Sequence, residues 1–118
     1  MTKKVTDINL FLQLKKHLNV YYNIMVQRPK DFKMCFMSDG VKEIQISIFK
    51  IKDAYLSKDK GEKILCLKEA MQHLTNLELL YEIMIGCKDF NDKLGAKLLE
   101  GLSKSIVQCS NWLTKLEN

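Results

Sequence analysis

Four lysines near the C-terminus, Lys93, Lys97, Lys104 and Lys115, are spaced so that one helix would carry them on a single stripe. At about 100° per residue they fall within an arc of roughly 40°, turned away from the apolar residues of the same segment. A row of ammonium groups on one side of a helix offers one kind of chemistry, the neutralisation of a polyanion. Glu100 interrupts the row, and Gln108 and Asn111 on the same side add hydrogen-bonding capacity toward phosphate. A second basic group consists of Lys15, Lys16, Arg28, Lys30 and Lys33, of which the last three share the turn RPKDFK (28–33). Of the 19 basic residues, 18 are Lys and only Arg28 is Arg. Lysine meets phosphate as a mobile point charge, which favours contact with a nucleic-acid backbone over readout of bases. Aromatic residues near either basic group are few, apart from Phe32 and Trp112. Base stacking of the kind that specific single-strand recognition uses is therefore not indicated.

The remaining reactive residue types are poorly placed for catalysis. His17 follows Lys15 and Lys16, and His73 follows Gln72; neither has a Ser or Cys at a helical spacing that would pair a nucleophile with a base. Both read as structural or surface histidines. Glu78 and Glu82 stand four apart, but no Glu-x-x-His motif accompanies them, as a di-metal bundle would require. Gly61-Glu62-Lys63 lacks every other part of a phosphate loop. Cys35, Cys66, Cys87 and Cys109 form no C-x-x-C pair and lie far from the histidines, so they read as buried or half-buried free thiols in a reducing cytoplasm rather than as a zinc site. No cofactor, metal or catalytic residue is expected, and the chain reads as a binding protein, not an enzyme.

Positioning such residues falls to four helical segments. The first runs from about Val5 to Gln27 with Phe11, Leu14, Leu18, Tyr21 and Met25 inward. Thr6 or Asp7 would cap its start and Pro29 would end it. The second runs from about Lys33 to Leu56 on the stripe Met37, Val41, Ile44, Ile48, Ile51 and Tyr55. Ile44, Ile46 and Ile48 also alternate as a strand would, but the 4-3-4-3-4 spacing persists too long for an ordinary strand, and helix is preferred. Gly40 is a weak point, and the helix could begin near Ser38 or Asp39. After the polar loop SKDKGE (57–62), the third helix spans about Glu62 to Ile85 with Leu67, Ala70, Leu74, Leu77, Tyr81 and Met84 inward and Gly86 as its stop. The fourth spans about Asn91 to Leu116 with Leu94, Leu98, Leu102, Cys109, Leu113 and Leu116 inward. Four helices of similar length on short connections predict a single all-α domain over residues 1–118, an antiparallel up-down-up-down four-helix bundle.

The chain has 118 residues, 47% of them apolar, enough for one domain with its own core. Its net charge of +5 is uneven: residues 1–60 hold 12 basic and 6 acidic side chains, residues 61–118 hold 7 and 8. No signal peptide is evident in the interrupted apolar run at the N-terminus, and no stretch approaches the roughly 20 apolar residues of a membrane span. A cytoplasmic protein with no membrane partner is expected. Several apolar residues fall off the core stripes, among them Leu12, Val20, Leu79 and Leu80. Ile46 and Phe49, on the far side of the second helix, and Trp112, beside the lysine row, are the candidate oligomer interface.

Three further features carry a family resemblance: Tyr21 and Tyr22 leading into Arg28, Pro29 and Lys30; an isoleucine-rich second helix; and the segment CSNWLTKL (109–116). From about residue 8 to 116 the chain resembles the four-helix-bundle accessory variability determinants of diversity-generating retroelements. These are related to bundle proteins encoded in intervening sequences of bacterial 23S ribosomal RNA genes. The latter branch typically carries a Ser-Ile-Pro-Asn-like stretch, which QISIFKIKDAYL (45–56) lacks, so the retroelement branch is the better match. The resemblance implies a bacterial or phage-encoded homopentamer without catalytic activity. It would bind the element's reverse transcriptase and its template RNA or DNA and so support mutagenic retrohoming. The alternative is a protein–protein interaction module of the intervening-sequence type that does not itself touch nucleic acid.

Overall fold

In a computed structural model, which describes residues 8–27, 34–87 and 91–118, the chain forms four helices. They are α1 (Asn9–Val26), α2 (Met34–Leu56), α3 (Lys60–Gly86) and α4 (Asp92–Glu117). No strand occurs among the described residues, so the isoleucine alternation of α2 is helical. Each helix packs on two neighbours in the cyclic order α1–α2–α3–α4, and the backbones of the diagonal pairs do not adjoin. This is the antiparallel four-helix bundle that the periodicity predicts, measuring 45 × 26 × 21 Å. No helix is long and apolar enough to cross a membrane among the described residues.

Local chemistry sets the helix ends. Asp59 caps α3 by accepting the Glu62 N–H at 3.0 Å, while Glu62 accepts from the Ser57 hydroxyl at 2.9 Å, and together they tighten the connection. That cap starts α3 at Lys60, two residues before the expected position. Asn91 caps α4 the same way, its Oδ1 accepting the Leu94 N–H at 2.7 Å. Lys63 reaches back from α3 and donates to the Ala54 carbonyl at 2.9 Å, placing a cation on the last turn of α2, where the exposed carbonyls attract it. Two expectations are corrected. Helix α1 starts after Ile8, which gives no side-chain cap; Thr6, Asp7 and Pro29 lie outside the described residues. Gly86 is the last residue of α3, one past the expected end, and Cys87 follows as its cap (φ −83°).

The core is one continuous cluster along the bundle axis. Its fully buried positions repeat at spacings of three and four: Leu10, Leu14, His17 and Tyr21 on α1, then Met37, Gly40, Ile44, Ser47, Ile51 and Ala54 on α2. Helix α3 gives Leu67, Ala70, Leu74, Leu77, Tyr81 and Met84, and α4 gives Gly95, Leu98, Leu102, Ser105 and Cys109. This alternation is the seam of an up-down bundle. The stripe expected for α3 is correct throughout. On the other helices the inward face is rotated by part of a turn. Leu18, Val41, Ile48, Leu94 and Leu113 are half-buried flanks, and small or polar residues occupy the centre.

Two of those polar residues organise the middle of the bundle. Tyr21 donates to the Met37 carbonyl at 2.8 Å and stacks on Tyr81, with ring centroids 5.6 Å apart. His17 Nε2 lies 2.6 Å from the Tyr81 hydroxyl, joining α1 to α3 across the diagonal. Burial raises the pKa of both phenols, so they stay neutral. Gly40 exists to admit this network: a Cβ there would lie 2.6 Å from Tyr21 Cζ.

Candidate nucleic-acid interface

Helices α1 and α4 run side by side, and the flank of α4 that carries the lysine row is turned toward α1. Lys97 and Lys104, seven residues apart, sit two helical turns from each other on that flank. On α1 the register that buries Leu14 and His17 brings Lys16 to the same seam. The three lysines, Gln13, Glu100 and Gly101 surround a cleft of about 230 Å³ whose inner wall is His17. His17 is only 4% exposed, and burial pulls its pKa down to about 4, so it is neutral at pH 7. Gly101 packs directly beside the imidazole and also lines the cleft; a Cβ there would lie 3.1 Å from His17 Nδ1.

Lys93 lies at the start of α4, exposed beyond the cleft. Lys115 lies at the other end, where it borders a second, wider cavity of about 540 Å³ with Trp112, Gln108, Asn111 and Tyr55. The four lysines of the row are thus spread along one seam rather than gathered at one point. Lys15 is exposed but one position off, on the side of α1 away from α4's lysines. Arg28, Lys30 and Lys33 lie outside the described residues.

The candidate interface residues divide differently from the sequence expectation. Ile46 lines a shallow groove of about 350 Å³ between α2 and α3 together with Leu79 and Ile83, whereas Phe49 is exposed on α2 and does not line it. Phe49 is 58% exposed and Leu79 is 61% exposed. In the cyclic helix order this side lies opposite the α1–α4 seam. Trp112 is not part of it: the indole is half-buried against the end of the core. The α2–α3 seam beneath the groove is tied by Lys50–Glu69 at 2.7 Å and His73–Glu43 at 2.6 Å.

Cys109 is buried, its thiol donating weakly to the Leu67 carbonyl at 3.8 Å and held up at a pKa of about 11 by desolvation, which makes it unreactive. Cys66 is half-buried and Cys87 exposed, both free thiols; the side chain of Cys35 lies outside the described residues. No group of three His, Cys, Asp or Glu side chains that could hold a metal ion occurs among the described residues.

Sequence reasoning overlooked Gln13, His17 and Gly101 as parts of the basic cleft. The available signal was Gly101, a glycine amid a strong helical pattern, which costs stability unless a neighbour needs the space. No protein-family model, curated protein or solved structure matches this chain.

Proposed function

We propose that this bundle is a non-enzymatic accessory protein that binds the phosphate backbone of a nucleic acid along the α1–α4 seam and assembles or docks through the opposite, apolar α2–α3 face. The observation that carries this reading is the meeting of Lys16 with Lys97 and Lys104 from two helices around one cleft. Cations from separate elements that converge raise the local potential more than the same charges scattered over a surface, and each phosphate they neutralise releases counterions. The family resemblance supplies the expected setting: a homo-oligomer, taken there as a pentamer, acting with a reverse transcriptase and its template RNA or DNA in a diversity-generating retroelement.

The test is fluorescence anisotropy with a labelled structured RNA across a salt series. Contact by three lysines gives a log–log slope of about −2 to −3, and the triple change Lys16→Gln, Lys97→Gln, Lys104→Gln flattens it toward zero. A wild-type slope near zero at every salt concentration would remove the seam from the mechanism. The exposed Phe49 and Leu79 favour a second reading, a protein-docking module in which charge serves only solubility. That reading expects no RNA binding even at low salt.

A further inference from the structure

We propose that the cleft over His17 is a discrete phosphate-oxyanion site, with the imidazole Nδ1–H as donor at its inner wall and Lys16, Lys97 and Lys104 neutralising charge at its rim. The proposal rests on the α1–α4 seam being a polyanion face, and it adds a specific seat within that face. Its ligand is a phosphate group, either free or in a nucleic-acid backbone.

Three observations converge on it. First, the cleft's volume of about 230 Å³ falls below the roughly 300–1,000 Å³ of pockets that engulf whole small molecules. It is large enough to admit a phosphate group. Second, its charge is right. Three lysines line it against one acidic residue, Glu100. Third, the inner wall offers a fixed polar atom. The Tyr81 hydroxyl stands 2.6 Å from His17 Nε2, and the site requires the tautomer in which the phenol donates and Nε2 accepts, the pairing favoured by the phenol's greater acidity. That assignment leaves the imidazole proton on Nδ1, on the side of Gly101. A neutral donor held by packing does not require burial of a fourth charge, and it adds direction to the undirected attraction of the lysines.

Gly101 makes the proposal separable from general electrostatics. Replacing it with Ala leaves every charge in place and favours the helix, yet sets a methyl group against His17 Nδ1. The experiment follows the imidazole and Gly101 amide signals by ¹H–¹⁵N NMR while inorganic phosphate replaces chloride at constant ionic strength and pH 7. Wild-type protein gives a saturable shift at both signals. Gly101→Ala weakens the apparent affinity at least tenfold, read at the imidazole, and so does the double change Lys97→Gln, Lys104→Gln, which does not alter packing against His17. Shifts in wild type that never saturate, or that saturate equally in both variants, overturn the site.

Repeating the titration with structured RNA identifies the source. Movement of the same imidazole signal supports a backbone phosphate. Saturation by inorganic phosphate alone supports a free phosphate ligand, and it refutes the nucleic-acid reading of the seam while the site stands. RNA that binds by anisotropy while neither RNA nor phosphate moves His17 overturns the site and leaves the seam intact.

Discussion

His17 is the residue through which pH should act on this fold. Its imidazole titrates near 6.5 in an unfolded chain and at about 4 in the bundle, because burial disfavours the charged ring. Between those values the unfolded state holds the extra proton, so stability rises with pH. The stabilising contribution is complete above about pH 6.5 and disappears as pH falls to about 4, a change of about 3 kcal/mol. Urea unfolding of wild type and His17→Gln at pH 7 and pH 4.5 measures it, since the difference between the two proteins' pH responses isolates this ring. Equal responses would show that His17 keeps its solution pKa. Ser105 offers the opposite case. Its hydroxyl is fully buried and has no hydrogen-bond partner among the described residues, which costs stability in a core. Ser105→Ala should raise the unfolding free energy by about 1 kcal/mol, and a loss of that size would mean that the hydroxyl is satisfied in solution.

Among the elements, α3 was fully legible and the others only in part, for a reason visible in their core positions. Every inward position of α3 is apolar, so a search for apolar spacing finds the true face. On α2 the inward set includes Gly40 and Ser47, and on α4 it includes Gly95 and Ser105. Such a search passes over them and selects their half-buried neighbours, Val41, Ile48 and Leu94. The helices were found, but the angle at which each faces the core was shifted. Small residues stand at these positions because large ones oppose them: Tyr21 fills the space beside Gly40, and Ile85 the space beside Gly95. Gly40→Ala tests this complementarity. An exposed helix would gain up to about 1 kcal/mol from the change, yet here the fully buried Tyr21 ring has to move, and a net loss of about 1–3 kcal/mol is expected. Chemical denaturation reads the difference, and an unchanged or raised midpoint would mean that the ring has room to spare.

For the whole molecule, the arrangement of faces matters more than any single contact. The lysine-lined seam and the apolar groove occupy opposite sides of the bundle, so one partner need not displace the other. Changes on the two sides should therefore separate. Phe49→Lys with Leu79→Lys should lower the mass measured by light scattering toward that of one 13.8 kDa chain while helical content is kept. The intrinsic affinity of each chain's α1–α4 seam for RNA should persist in that variant. A wild-type protein that is already monomeric would take the α2–α3 face out of self-assembly.

The number and kind of elements, their approximate limits and the bundle they build could be read along the chain, because periodicity, caps and connections are local properties. The sequence also identified the lysine row, since spacing along a single helix is enough to align Lys93, Lys97, Lys104 and Lys115. What that row faces depends on how the helices pack. Lys16 joins Lys97 and Lys104 because His17, read as no more than a structural or surface histidine, turns into the core and sets the rotation of α1 against α4. Tertiary packing also parted Phe49 from Trp112, both candidate interface residues, by placing one on an outer face and the other against the end of the core. The rotation of a helix about its own axis depends on which side chains opposing helices can accept, and that information lies in pairs of residues far apart in the chain.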